Sequence, residues 1–420
     1  MLKNKTKALI LALFIGGTMM TTACATETKT VSLSFPIENK EELAVQRAVE
    51  LNVRDFDIGD GVYNPRLASM CAVMAASASE SKSPQENLYE MGFSHIAKFS
   101  YEDYYEEDRV GVVMGSKNIG PDMLIFLTVR GTRGREWYSN FDVGYGKEHK
   151  GFSQCADFLQ KKTEQYITNY ALDRDHLRFL VTGYSRGAAA ANIFSKRLID
   201  EYTEERVAAY TFASPNTTTE ENPDQYRAIY NIVKADDVFT QIPLSKWGYH
   251  RYGTDIELDE SDESSKDEVR QVFRSVTGDE FRGFDSETEV QSFVRNAYRL
   301  APGIYDYYQK RYTVGDKTLT MYEYMTLAAK FLCEENDEED ADTLTETLLS
   351  DFSDISLFFL SGMDMEDLLL TGDFYKSGVA DSHSMVGYMT LMDGDTPLKV
   401  FKEGEGVSAD ERVTVLANSR

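Results

Sequence analysis

A serine bracketed by glycines between a strand-like run and a helix-like run restricts this chain more than any other feature. Gly183-Tyr184-Ser185-Arg186-Gly187 fits G-x-S-x-G, a pattern in which the serine sits on a tight turn that lifts its hydroxyl clear of the backbone. Before it, Leu177 to Val181 is a short apolar run with the character of a buried strand. After it, Ala188 to Ala191 leads into Ile193, Phe194, Leu198 and Ile199, spaced for a helix with one apolar face. A hydroxyl held in this way, next to a base and beside amide donors, becomes an effective nucleophile. The flanking glycines are expected because a side chain two residues from the serine would strike the neighbouring strand or helix.

The surrounding segments extend this unit into a layered fold. Tyr63-Asn64-Pro65 opens a run with helical spacing through Leu67, Met70, Cys71 and Met74, and Gln85 to Met91 reads as a second helix ending at Gly92. Val110 to Met114 and Met123 to Val129 read as two strands joined across Gly120-Pro121. Gly151 to Tyr170 is helical in pattern, and Val207 to Phe212 and Ala228 to Val233 are further strands. Strands alternating with helices predict an α/β fold with a largely parallel sheet flanked by helices. Sites in such sheets lie at the carboxyl ends of the strands, where Ser185, Ser214 and Asp237 fall.

The start of the chain and a long later stretch have a different texture. Met1 to Ala25 carries Lys3, Lys5 and Lys7, then the apolar run Ala8 to Ile15 and small residues, as expected of a secretory signal. Ala23-Cys24-Ala25 suits signal peptidase, while Thr21-Thr22-Ala23-Cys24 resembles a lipoprotein box that would place a lipid anchor on Cys24. The expected location is therefore outside the cytoplasm, as a surface lipoprotein or a secreted protein. Residues 26–62 are an N-terminal lead-in, mostly polar and irregular over Thr26 to Glu41. The remaining residues, 63–420, form one domain interrupted by a helical insertion at about 259–371, with acidic runs at Asp259 to Glu268 and Glu334 to Asp342. Neither acidic run has the spacing of a calcium loop, and no zinc-type cluster of cysteine and histidine is visible.

With 70 acidic against 44 basic residues the formal charge is −26. This argues against nucleic acid and against simple attraction to anionic lipid, so membrane association would rest on an anchor or on apolar surface. After cleavage Cys71, Cys155 and Cys333 remain; an odd count leaves at least one thiol out of any disulfide framework.

A serine hydrolase built on this elbow runs in the order serine, acid, histidine. Of five histidines, only His250 and His383 follow Ser185. His383, in a loop beside an apolar segment, is expected as the base, and His250 as a structural polar residue. The acid must come from a rigid strand end beside the serine, where Asp236 and Asp237 stand together. Adjacent side chains point different ways, so only one of them can serve.

Several motifs resemble the class 3 lipase family, the α/β-hydrolases that include the fungal triacylglycerol lipases. Val129-Arg130-Gly131-Thr132 with Trp137, His149-Lys150-Gly151-Phe152, the elbow, and Thr211-Phe212-Ala213-Ser214-Pro215 occur in the family's order. Asp237 to Pro243 resembles its D-x-V-x-x-x-P segment, and that spacing selects Asp237 over Asp236. The resemblance covers about Tyr63 to Leu258 and resumes near His383. It implies Ser185 as nucleophile, Asp237 as acid, His383 as base, and the backbone N–H groups of Thr132 and Arg186 as the oxyanion hole, with no metal or organic cofactor. The implied substrates are lipid or other carboxylic esters, with phospholipids and carbohydrate esters open. Tyr184 and Arg186 depart from the histidine and leucine frequent at those positions, and Arg133 to Glu136 is charged where an amphipathic lid is often found. The alternative outside the enzymes is a surface binding protein on a hydrolase scaffold.

Overall fold

The computed structural model describes residues 28–37, 40, 43–59, 61–101, 110–132, 137–140, 143–144, 146–258, 263–284, 290, 311–314, 317–320, 378–402 and 413–414. Its centre is a seven-stranded sheet in strictly sequential order, β3-β4-β5-β6-β7-β8-β9. The strands are β3 Ser94–Phe99, β4 Val112–Ile119, β5 Asp122–Val129, β6 Leu177–Tyr184, β7 Val207–Phe212, β8 Ile229–Lys234 and β9 Thr254–Leu258. The β3–β4 and β4–β5 pairs are antiparallel; β5 through β9 run parallel. The sheet is thus largely parallel, with an antiparallel edge in which β3 is a strand not anticipated from the sequence.

Alternation within the strands explains why their sequences are apolar throughout. In β5, Leu124 and Phe126 enter one core while Ile125, Leu127 and Val129 enter the other. In β6, Leu180 faces the first core and Phe179 and Val181 the second. A strand covered on both faces cannot show a polar side.

Sequential order also dictates where the helices go. Right-handed crossovers advancing in one direction put the connecting helices on one face. Accordingly α4 (Lys150–Asn169) and α5 (Arg186–Tyr202) share the second core. The other face must be covered by elements outside the crossovers. These are α1 (Pro65–Ser77), α6 (Glu263–Thr277) and α8 (Met385–Met392), which bury Leu67, Met70, Phe273, Val276, Met385 and Met389 in the first core. Asn64 caps α1 through bonds from the N–H groups of Arg66 and Leu67, with Pro65 in the first turn.

The N-terminal lead-in requires a correction. Residues 29–36, expected to be irregular, form strand β1 (Lys29–Pro36), which pairs with β2 (Leu43–Leu51) in an antiparallel hairpin with Phe35 opposite Val45. β2 pairs in turn with β12 (Leu398–Lys402), which pairs with β13 (Val413–Thr414). Val31, Leu33, Phe35, Val45 and Val49 join the first core, alternating with the polar Ser32, Ser34 and Gln46.

Of the helical insertion expected at 259–371, α6 is described, as is a short hairpin, β10 (Arg311–Val314) with β11 (Lys317–Thr320). The hairpin adds strand to a region expected to be helical, and the rest of the insertion lies outside the described residues, as do the signal, Cys24 and Cys333. Cys71 and Cys155 are both buried.

Candidate active site

Ser185 stands between β6 and α5 with φ 56° and ψ −125°. A non-glycine residue in this region is strained and persists only where its surroundings impose it. Here its N–H donates to the Phe212 carbonyl at 3.0 Å, and its own carbonyl accepts the first helical bond from Ala189 at 3.0 Å. The glycines on either side are required by contact. A Cβ on Gly183 would lie 2.5 Å from the Gly187 carbonyl oxygen, and one on Gly187 would lie 2.4 Å from that of Arg130. The strand, the helix start and the end of β5 therefore meet at backbone distance around the serine.

His383 ends α7 (Gly378–His383) rather than lying in a loop. Its Nδ1 is 2.8 Å from Asp237 Oδ2, across 146 residues of chain. The imidazole is packed between Tyr184 and Phe239, with ring centroids 4.8 and 4.4 Å away, and the Tyr184 hydroxyl donates to the His383 carbonyl at 2.8 Å. Lys234, buried at the end of β8, donates to the Ser382 carbonyl at 3.1 Å. No described residue hydrogen-bonds His383 Nε2 or Ser185 Oγ, so the structure joins acid to histidine but not histidine to serine. In ligand-free sites such a bond often tightens only when substrate arrives.

Asp237 is fully buried and accepts three hydrogen bonds: from His383, from the Tyr388 hydroxyl at 2.7 Å, and from the Phe239 N–H at 3.0 Å. Burial first, and then the Asp237 charge, holds the Tyr388 phenol well above its usual value; it stays protonated and donates. Asp236 turns away to Lys234 at ion-pair distance, 3.2 Å. Neither Tyr388 nor Lys234 is marked by a motif in the sequence. A tyrosine in the mostly apolar α8 is the available signal.

Thr132 follows the end of β5, and Gly131 lies against the elbow, where a Cβ would stand 3.3 Å from the Tyr184 carbonyl oxygen. Arg186 is the first residue of α5, and its side chain is buried. Between the two stands Asn140, the last residue of α3 (Trp137–Asn140). Its Nδ2 donates to Thr132 Oγ1 at 3.0 Å and its Oδ1 accepts from Arg186 Nη1 at 2.6 Å. The Arg186 Nη2 also donates to Cys155 Sγ at 2.9 Å. His250 engages Thr217 and Thr218 through its backbone, and its side chain is exposed. A separate cavity of about 450 Å³ is lined by Tyr63, Tyr210 and Tyr230 and by Val207 and Ala228. It opens beside the amino ends of β7 and β8, at the opposite edge of the sheet from Ser185. Among the described residues no cluster of potential metal ligands occurs.

His149 precedes α4, is fully buried, stacks on Phe152 at 3.9 Å and meets the Asn140 carbonyl through Nε2 at 3.2 Å. Burial chiefly, and then the Arg186 charge, pushes its imidazole down from 6.5 to about 3. Between those values the unfolded chain binds a proton that the folded chain does not, so stability falls as pH drops through this window. The loss amounts to about 2 kcal/mol at pH 5. In His149→Gln this contribution should vanish: urea midpoints measured at pH 7 and pH 5 should differ less than in the unmodified protein. An equal difference would show that His149 does not titrate in this way.

Strand, strained turn and helix in this order, on a sheet whose parallel strands direct their carboxyl ends to one edge, place the chain among the α/β-hydrolases. Residues 127–247, the stretch that holds Ser185 and Asp237, match the family described as lipase (class 3). No curated protein matches it. Similar solved structures include a triacylglycerol lipase described as having a serine protease triad at its catalytic centre, at 16% identity, covering 48% of this chain and 83% of the other, with a TM-score of 0.37. Others are the Rhizomucor miehei lipase propeptide complex, at 17% identity, 47% and 68% coverage and a TM-score of 0.37, and a lipase from Rhizopus microsporus var. chinensis, at 18% identity, 47% and 74% coverage and a TM-score of 0.35.

Proposed function

We propose that this chain is an exported serine esterase acting on acylglycerols or related lipid esters, with Ser185, His383 and Asp237 as its triad. The observation that carries the reading is the 2.8 Å contact between His383 and a fully buried Asp237, behind a serine raised on a strained turn. Ser185 Oγ attacks the ester carbonyl carbon while His383 Nε2 takes its proton. Asp237 holds the Nδ1–H tautomer and stabilises the imidazolium. The N–H groups of Thr132 and Arg186 receive the oxyanion. His383 then protonates the departing alcohol oxygen, leaving the acyl group on Ser185. A water, deprotonated by His383, attacks the acyl carbon; the carboxylic acid departs and the proton returns to Ser185.

The test is a fluorophosphonate probe applied to purified residues 26–420, followed by an ester panel of increasing acyl length. Covalent labelling at Ser185 and turnover of the panel are expected. A folded protein that neither labels nor hydrolyses any ester would overturn the reading.

The signal pattern of Met1 to Ala25 supports export, and the cysteine at its end supports a lipid anchor on Cys24. Cys24→Ala should move the protein from the membrane fraction to the soluble exported fraction; unchanged membrane association would remove the anchor.

A further inference from the structure

His383 ends α7, and the last carbonyls of a helix have no partner within it. In α7 those of Asp381, Ser382 and His383 each meet a donor from outside the helix. The Ser384 N–H donates to Asp381 at 3.1 Å, Lys234 Nζ to Ser382 at 3.1 Å, and the Tyr184 hydroxyl to His383 at 2.8 Å. Lys234 ends β8, the strand that leads to Asp237, and Tyr184 ends β6, immediately before Ser185. The histidine segment is therefore located against the strand of the acid and against the strand of the nucleophile by separate bonds.

The contact between His383 Nδ1 and Asp237 gives the imidazole a pivot, since one hydrogen bond at 2.8 Å fixes a point and not a plane. Where Nε2 then lies depends on the His383 backbone and on the Tyr184 and Phe239 rings around the imidazole, at 4.8 and 4.4 Å. Tyr184 enters both terms, its hydroxyl on the carbonyl and its ring beside the imidazole. It is also joined covalently to Ser185.

We propose that Tyr184 is a positioning residue that sets the spacing of His383 from Ser185, its hydroxyl acting as a tether across 199 residues of chain. The proposal rests on the serine esterase reading above. The hydroxyl gives no proton to the reaction; it holds Nε2 within reach of Ser185 Oγ, between which the proton passes. Displacement of a reacting group by an ångström can cost about 10²-fold in rate. Slackening of the tether should therefore show in turnover before it shows in the fold.

Tyr184→Phe removes the tether and keeps the ring. It should lower kcat on a short acyl ester by about tenfold, with KM changed less than about twofold, because the lost hydroxyl faces a backbone carbonyl and not the substrate. Rates are read well below the melting transition of each variant, so that lost stability does not enter the comparison. The His383→Ala background separates positioning of the base from damage to the elbow, since its residual turnover rests on binding and the oxyanion donors. There Tyr184→Phe should cost less than about a further twofold, because the group it positions is gone. Wild-type kcat in Tyr184→Phe, a rise in KM as large as the fall in kcat, or a full further loss in the double variant would overturn the proposal. Endpoint labelling of Ser185 by a fluorophosphonate in the unmodified protein is read in parallel. Its absence would count against the esterase reading itself, independently of Tyr184.

Discussion

Ser185→Ala is expected to lose about a thousandfold or more in turnover on a short acyl ester while its thermal unfolding stays unchanged. The two halves of the expectation have separate physical sources. Ser185 Oγ makes no hydrogen bond to any described residue, and the strained backbone at φ 56° is held by the Ser185 N–H and carbonyl, which alanine keeps. The substitution therefore removes the attacking oxygen and little else. What survives should be the small rate supported by binding and the oxyanion donors alone. Initial rates beside a melting curve decide the matter: turnover within about tenfold of the unmodified protein would remove Ser185 from the mechanism.

Asp237→Asn is expected to cost about 10⁴-fold in kcat/KM near neutral pH, through the tautomer of His383. Asp237 Oδ2 faces two donors, His383 Nδ1–H and the Tyr388 hydroxyl, while Oδ1 faces the Phe239 N–H. An asparagine cannot satisfy all three. With its NH₂ group in place of Oδ2, it obliges Nδ1 to be the acceptor and moves the imidazole proton to Nε2, where a base is needed. With the amide turned over, NH₂ meets the Phe239 N–H and one buried donor loses its acceptor. Either arrangement should also lower stability by about 1–3 kcal/mol. A pH–rate profile and a denaturant midpoint test both parts; a variant within about tenfold of the original rate would show that His383 does not depend on Asp237.

What the sequence made legible follows the range of the interactions. The elbow is local: β6, Ser185 and α5 are contiguous, and apolar spacing with two glycines is enough to read them. The choice between Asp236 and Asp237 was not physically legible, because it depends on Lys234 drawing one carboxylate aside and on Tyr388 and His383 meeting the other. Asn140 could not be found from spacing at all. It matters only because α3 is folded back so that it reaches both Thr132 and Arg186. The N-terminal hairpin is a different case. Its alternation was present in Val31-Ser32-Leu33-Ser34-Phe35, but hydroxyl residues on the outer face gave the stretch the texture of a linker. The covering face of the sheet was obscured for a related reason, since sequential strand order forces it to be built from segments hundreds of residues apart.

Arg47 shows what that distance entails. Buried in β2, it donates to the carbonyls of Met389 at 3.2 Å and Asp393 at 2.9 Å, at the end of α8, and pairs with the Asp393 carboxylate at 3.2 Å. Under the proposed triad, Ser185 is set by its immediate neighbours, whereas His383 precedes a helix held by a strand more than 300 residues away in the chain. Under that triad, opening of the seam between helix and strand should silence Ser185 by withdrawing His383.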